Sequence, residues 1–274
     1  MQIAVVIPTY NRYKLLQRAI NSIFAQTYKP SEIIVVDDGS TDNTSNIKKE
    51  FPSVKYIYQK NSGVSSARNR GIKSVCSEWI AFLDSDDEWY PTKLEEQVKF
   101  HQKYSDIFMS YTDETWIRDG VSVHIPKKFK KIGEDVFAEN LSCCHIAPSS
   151  VLLHRNLFDL VGMFDERLEV CEDYDLWLRI SLNHTVALVD QKLIKKYAGH
   201  EDQLSFKYWG MDRFRVITLE KFLVDTNSLH PKKKICIKKE LLRKYSLLLK
   251  GALKHNRDKD VETYREKIVK FRLV

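Results

Sequence analysis

Long apolar runs are missing from this chain. No stretch approaches the ~18 consecutive apolar residues that a membrane-crossing helix needs, so no bilayer anchor is expected. The first residues, Met1-Gln2-Ile3-Ala4-Val5-Val6-Ile7-Pro8, lack a basic lead segment and read as a strand, so no secretory leader is expected. Cysteine is scarce: Cys76, Cys143, Cys144, Cys171 and Cys236 are odd in number and irregular in spacing. That excludes a disulfide framework and favours reduced thiols and a cytoplasmic setting. Cys143-Cys144-His145 has no second Cys or His pair at zinc spacing and reads as packing. No GxxxxGK[ST] occurs, and no GxGxxG lies near residue 10. Both absences disfavour a P-loop nucleotidase and a nicotinamide dehydrogenase. Internal repeats and low-complexity linkers are absent as well.

What is present is an ordinary globular composition, 43% hydrophobic over 274 residues, enough for one large α/β domain with a helical extension. Charge is unevenly placed. Residues 206–274 hold 19 Lys and Arg against 8 Asp and Glu, a local balance of +11. With +7 for the whole chain, the other 205 residues carry −4. The division suggests a domain over 1–205 and a basic helical extension over 206–274. The stretch Lys232 to Leu242 leads into an amphipathic helix. Its lysines suggest peripheral contact with an anionic membrane surface at the cytoplasmic face. No nucleic-acid motif accompanies those lysines, so nucleic acid is not an expected partner.

Apolar runs at Ile3–Ile7, Ile33–Val36, Lys55–Tyr58 and Trp79–Leu83 read as strands. Helical spacing over 12–25, 40–50, 65–74 and 91–104 separates or follows them. Ser40 or Thr41 is the expected cap of the second helix. The alternation predicts βαβ units and a parallel sheet covered on both faces. Strands are expected within 107–125, and helices over 172–181, 211–224 and 232–254.

The polar residues that follow these strands are the candidate site. Pro8, Thr9 and Tyr10 end the first strand, and Asp37-Asp38-Gly39-Ser40-Thr41-Asp42 ends the second. An acid after a strand can accept from a base N–H or a ribose hydroxyl, and Asp38 or Ser40 can equally cap a helix. Asn61-Ser62-Gly63 leads into a helix carrying Arg68 and Arg70, an arrangement suited to phosphate. Asp84-Ser85-Asp86-Asp87 packs three carboxylates into four positions, where mutual repulsion favours a bound cation such as Mg²⁺ or Mn²⁺; the same acidic turn, through Asp87, can equally cap the next helix. Glu172-Asp173-Tyr174-Asp175 opens a helix with acids, which the macrodipole favours and which also supplies a candidate general base.

Together these stretches resemble the inverting family 2 glycosyltransferases of the GT-A fold. The matching segments run in order: Val6 to Arg12, Val35 to Asp42, Asn61 to Gly71, Phe82 to Asp87, and Gly162-Met163-Phe164-Asp165-Glu166 followed by Glu172 to Arg179. The resemblance implies a Rossmann-like, mostly parallel sheet flanked by helices. It implies transfer from a nucleotide-diphosphate sugar, UDP-linked by expectation, to a hydroxyl of a saccharide or lipid-linked acceptor in surface polysaccharide or glycolipid synthesis. Thr9 and Tyr10 would border the base, and Asp38 or Asp37 would accept from uracil. Arg68 would lie near the nucleotide, Asp84 would face the donor sugar, and Asp86 would bind Mn²⁺ or Mg²⁺ on the diphosphate. Asp173 would be the catalytic base, and His200 would approach the metal. A nucleotidyltransferase shares this layout but carries a Gly-rich basic loop after its first strand, where this chain has Pro8-Thr9-Tyr10-Asn11-Arg12.

Overall fold

The computed structural model describes residues 1–274 except 132, 198, 200–207, 225–228 and 274. It divides into two compact units. One comprises residues 1–140 and 144–201; the other comprises 141–143 and 202–274.

In the first unit the chain runs β1 (Ile3–Thr9), α1 (Tyr13–Phe24), β2 (Glu32–Asp37), α2 (Ile47–Glu50), β3 (Lys55–Tyr58), α3 (Val64–Lys73) and β4 (Trp79–Phe82). There follow β5 (Glu88–Trp89), α4 (Lys93–Lys103), β6 (Met109–Arg118), β7 (Val121–Val123) and α5 (Val136–Ser142), whose last residues belong to the second unit. Then come β8 (Leu152–His154), α6 (Asn156–Val161), α7 (Glu172–Asn183) and β9 (Val186–Tyr197). Among the described residues nine strands form one sheet, ordered β3-β2-β1-β4-β8-β6-β9-β5, with β7 beside β6. The β3-β2-β1-β4 half is parallel throughout. Beyond β4 the sheet is mixed: β8 is antiparallel to both β4 and β6, β9 is parallel to β6, and β5 is antiparallel to β9.

The strands are buried on both sides because their residues alternate between two cores. Ala4, Val6, Ile34, Val36, Ile80 and Phe82 pack with Ala67 and Ile72 of α3 and with Leu176, Trp177 and Ile180 of α7. Ile3, Val5, Ile7, Val35 and Ala81 pack with Leu16, Ala19, Ile20 and Ile23 of α1 and with Leu94 and Val98 of α4. Each large side chain buried this way contributes on the order of 2 kcal/mol. Gly71 lets α3 lie close on β1, since a Cβ there would fall 2.3 Å from Val6 Cγ1.

The 40–50 helix is shorter than its spacing predicts. A 3₁₀ turn over Asn43–Asn46 precedes the single turn α2, and Asp42 is the cap, accepting from Thr44 N at 3.0 Å. Ser40 and Thr41 are drawn to Asn11 instead: Asn11 N donates to Ser40 Oγ at 2.8 Å, and Thr41 N donates to Asn11 Oδ1 at 2.7 Å. The strands β8 and β9 are structural additions to the sequence reading.

The second unit carries α8 (Asp212–Val224), α9 (Pro231–Lys254) and α10 (Asp258–Leu273). In α9, Ile237, Leu241, Tyr245 and Leu248 are buried, while Lys232, Lys233, Lys238 and Lys239 keep contact with solvent. No helix among the described residues is long and apolar enough to cross a membrane.

Candidate active site

Parallel pairing brings the polar strand ends together. Thr9 is the register partner of Asp37, and Asp38 N donates to Thr9 O at 2.9 Å. Leu83 N donates to Val6 O at 3.1 Å, so Asp84 emerges beside the end of β1. Thr9 is buried and its Oγ1 has no hydrogen-bond partner, as is also true of Ser65 Oγ on α3. Pro8 is buried, whereas Tyr10 is 48% exposed.

The two acids after β2 differ in use. Asp37 accepts from Ser40 N at 2.8 Å and from Tyr56 Oη. Asp38 accepts from Gln59 Nε2 at 2.7 Å, Ser62 N at 2.8 Å and Gly63 N at 2.9 Å. It therefore anchors the Asn61–Gly63 loop, a positioning role that strand-end reasoning did not separate from ligand contact. Gly39 makes this approach available: its φ is +88°, and a Cβ would sit 2.7 Å from Asn61 N.

Arg68 joins the acids that follow β4 to those that open α7. Buried on α3, it donates from Nη2 to Asp84 Oδ1 at 2.7 Å and from Nη1 to Glu172 Oε1 at 2.6 Å. Its Nε remains without a partner. The neighbouring Asn69 fixes the Gly162–Glu166 stretch, donating to Phe164 O at 2.9 Å and to Glu166 Oε1 at 2.8 Å, and accepting from Phe164 N at 3.0 Å. Arg179 closes the same stretch by donating to Met163 O at 2.7 Å and to Asp175 Oδ2 at 2.8 Å.

Of the three acids that open α7, two are committed to arginines. Burial pushes the Glu172 carboxyl up to about 7; Arg68 opposes that shift and the Asp173 charge adds to it. Asp175 is buried against Arg179. Asp173 is half-buried and accepts from Tyr174 N at 2.7 Å and from Cys144 Sγ at 3.4 Å. Of the three it alone forms no ion pair with an arginine among the described residues. Cys144, which the sequence suggests is mere packing, thus touches the candidate base.

Lys196 at the end of β9 is a further residue that pattern reading missed. Burial works against its charge, but Glu114, Asp87 and Asp173 outweigh burial and hold its pKa above the ordinary lysine range. Its signal lay in no motif, because its neighbours come from four separate segments.

The three acids at 84–87 also part ways. Asp84 pairs with Arg68, and Asp86 pairs with Arg12 at 2.8 Å, while Arg18 Nη2 donates to Asp86 O. Asp87 is not the helix cap that its position suggests. It is buried, accepts from Ser149 Oγ at 2.6 Å and from Tyr197 N at 3.2 Å, and is held well above the usual carboxylate range by burial and by the Asp86 and Asp84 charges. Ser85 is buried beside them.

Among the described residues no group of three or more His, Cys, Asp and Glu side chains is assembled to hold a metal. The hard oxygens of Asp84 and Asp86 nonetheless suit Mg²⁺ or Mn²⁺, which take one or two carboxylates and complete their shell with phosphate and water. His200, with Glu201 and Asp202, lies outside the described residues.

The family model "Glycosyl transferase family 2" matches residues 4–159. An uncharacterized glycosyltransferase of Rickettsia conorii is 36% identical over 197 residues, covering 71% of this chain and 32% of that protein. The Escherichia coli protein WfaP, named UDP-Glc:alpha-D-GlcNAc-diphosphoundecaprenol beta-1,3-glucosyltransferase, is 34% identical over 183 residues, covering 65% of this chain and 69% of that protein. The chain spans between 28% and 65% of the length of the first rickettsial relatives. Among solved structures, S. aureus TarS 1-349 in complex with UDP-GlcNAc superposes with a TM-score of 0.67 at 19% identity, covering 100% of this chain and 92% of that one. That likeness establishes the GT-A fold.

Proposed function

Because the chain belongs to glycosyl transferase family 2, we propose that it transfers a sugar from a UDP-sugar to a hydroxyl of a saccharide or lipid-linked acceptor, with inversion at the anomeric carbon. The observation that carries this reading is the Arg68 bridge from Asp84 to Glu172, which holds the donor-side acids beside the candidate base. The donor class is supported by the UDP-sugar named for WfaP and by the UDP-GlcNAc complex of TarS. The acceptor class is supported by the diphosphoundecaprenol-linked substrate in WfaP's name, which points to surface polysaccharide or glycolipid assembly.

In this mechanism Asp173 takes the proton of the acceptor hydroxyl as its oxygen bonds to the anomeric carbon. The bond from that carbon to the diphosphate breaks, and UDP leaves with the electron pair. No side chain bonds to the sugar, so one displacement inverts the centre. Thr9, at the end of β1, borders the nucleotide, and Asp38 orients the Asn61–Gly63 loop around it. Asp86 would hold Mn²⁺ or Mg²⁺ on the diphosphate, with Asp84 toward the donor sugar. Such an ion stabilises charge on the departing diphosphate.

Transfer from UDP-sugars by purified protein tests the reading. Asp173→Asn should lower turnover by about 10²–10⁴-fold with UDP affinity little changed. Asp86→Ala should lower turnover and also weaken Mn²⁺-dependent UDP binding. Wild-type turnover in both variants would falsify the assignment.

The lysines of α9 support a second element of the proposal, peripheral attachment to anionic membrane at the cytoplasmic face. Each lysine near such a surface contributes about 1 kcal/mol. Replacing Lys232, Lys233, Lys238 and Lys239 by Glu should abolish co-sedimentation of the full chain with phosphatidylserine vesicles. Unchanged sedimentation removes this element.

A further inference from the structure

The mixed half of the sheet holds a cavity that none of the motifs explains. It measures about 490 Å³ and lies among β6, β7, β9 and the turn at Lys127–Phe129. That volume falls in the ~300–1,000 Å³ range of small-molecule sites.

Its lining has two chemical characters. Trp116 and Phe129 supply aromatic faces, their ring centroids 5.4 Å apart and tilted by 44°. Aromatic planes receive the C–H faces of sugar rings because both present flat, weakly polar surfaces. Four lysines line the cavity against two aspartates. Lys131 is already bound to Glu114 at 2.7 Å, whereas Lys130 and Lys192 are exposed and form no ion pair among the described residues. Two uncommitted ammonium groups beside aromatic faces suit an anion attached to a sugar.

The cavity is also joined to the reacting groups. The Trp116 indole N–H donates to Glu114 Oε1 at 2.6 Å, and the Trp116 ring centroid lies 5.9 Å from Lys196 Nζ. Lys196 is in turn an electrostatic neighbour of Asp173. Register shifts between β6 and β9 fall at Thr112, Asp113 and Glu114, and Asp113 lines the cavity.

We propose that this cavity binds the phosphorylated saccharide of the acceptor, with the sugar ring against Trp116 and Phe129 and the phosphate between Lys130 and Lys192. The proposal rests on the glycosyl-transfer reading and specifies the acceptor side of it. Anionic acceptors of this kind arise as free sugar phosphates or as lipid diphosphate-linked sugars, and the cavity recognises what they share.

The test titrates the full chain with N-acetylglucosamine 1-phosphate and with N-acetylglucosamine, both in saturating UDP, following tryptophan fluorescence and heat. The phosphorylated sugar should bind at least tenfold tighter than the neutral one. The double variant Lys130→Ala with Lys192→Ala should lose at least tenfold of that affinity, and so should Trp116→Ala. Both lysines are exposed, so the double variant folds even if the tryptophan variant does not. Wild-type affinity in the double variant, or equal affinity for the two sugars, overturns the proposal. UDP failing to bind sinks the donor reading instead, and the lysine variant still reads the cavity. A short-chain prenyl diphosphate-linked sugar that binds tighter than the 1-phosphate identifies the lipid-linked source, and equal binding identifies the sugar phosphate itself.

Discussion

The two halves of the sheet are built to different standards. In the parallel half, β3-β2-β1-β4, the two acids that end β2 are buried and accept from backbone N–H groups. Asp38 alone receives two backbone N–H groups and one side-chain amide. In the mixed half, β8-β6-β9-β5, the register shifts, a cavity opens, and Lys130 and Lys192 form no ion pair among the described residues. A nucleotide has one shape, so a site for it can be preorganised once, and fixed donors and acceptors gain most from rigidity. An acceptor varies, and a bulged, partly open surface can be changed without disturbing the folding of its neighbours.

The largest test of this contrast uses the two buried ion pairs, one in each half. Removing a partner from a buried pair strands a charge and costs about 3–5 kcal/mol. Arg68→Ala should therefore destabilise the fold by about that amount in urea unfolding and abolish UDP binding. The deficit should shrink at acidic pH. The Glu172 pKa is already raised by burial, so the stability of its neutral form is present at low pH and is lost as pH rises through about 7. Lys131→Ala, which strands Glu114, should cost a similar amount yet leave UDP affinity within about twofold. If both variants lose UDP equally, the two halves are not functionally separate.

The same contrast explains what could be read from the residues alone. Runs such as Ile3–Ile7 and Ile33–Val36 are apolar throughout because both faces of a parallel strand are covered, and that pattern is local. The motifs after them were legible for the same reason, since each is a short segment fixed by one strand end. The strand β9 escaped notice because Asp190, Gln191 and Lys192, all exposed, interrupt its apolar residues. The division of labour among acids escaped as well. Nothing local says that Glu172 meets an arginine 104 positions away while Asp173 meets a thiol 29 positions away. Asp87 read as a cap because its partners, Ser149 and Tyr197, are distant in sequence.

A smaller effect sharpens the comparison to a single methyl group. Gly39 in the parallel half and Gly120 in the β6–β7 turn both have left-handed backbone, with φ of +88° and +79°. Alanine at either position meets the same conformational cost, about 1 kcal/mol. What differs is the space. A Cβ on Gly120 meets nothing within 4 Å, whereas one on Gly39 falls 2.7 Å from Asn61 N, in a loop whose next two N–H groups, those of Ser62 and Gly63, donate to Asp38. Overpacking adds about 1–3 kcal/mol where neighbours cannot yield. Gly120→Ala should thus cost about 1 kcal/mol and Gly39→Ala about 2–4 kcal/mol in urea unfolding. Only Gly39→Ala should also weaken UDP binding, because relieving the overlap moves the Asn61–Gly63 loop. Equal costs for the two would mean that this loop gives way easily, and the rigidity ascribed to the nucleotide side would then lie in Arg68 and its carboxylates alone.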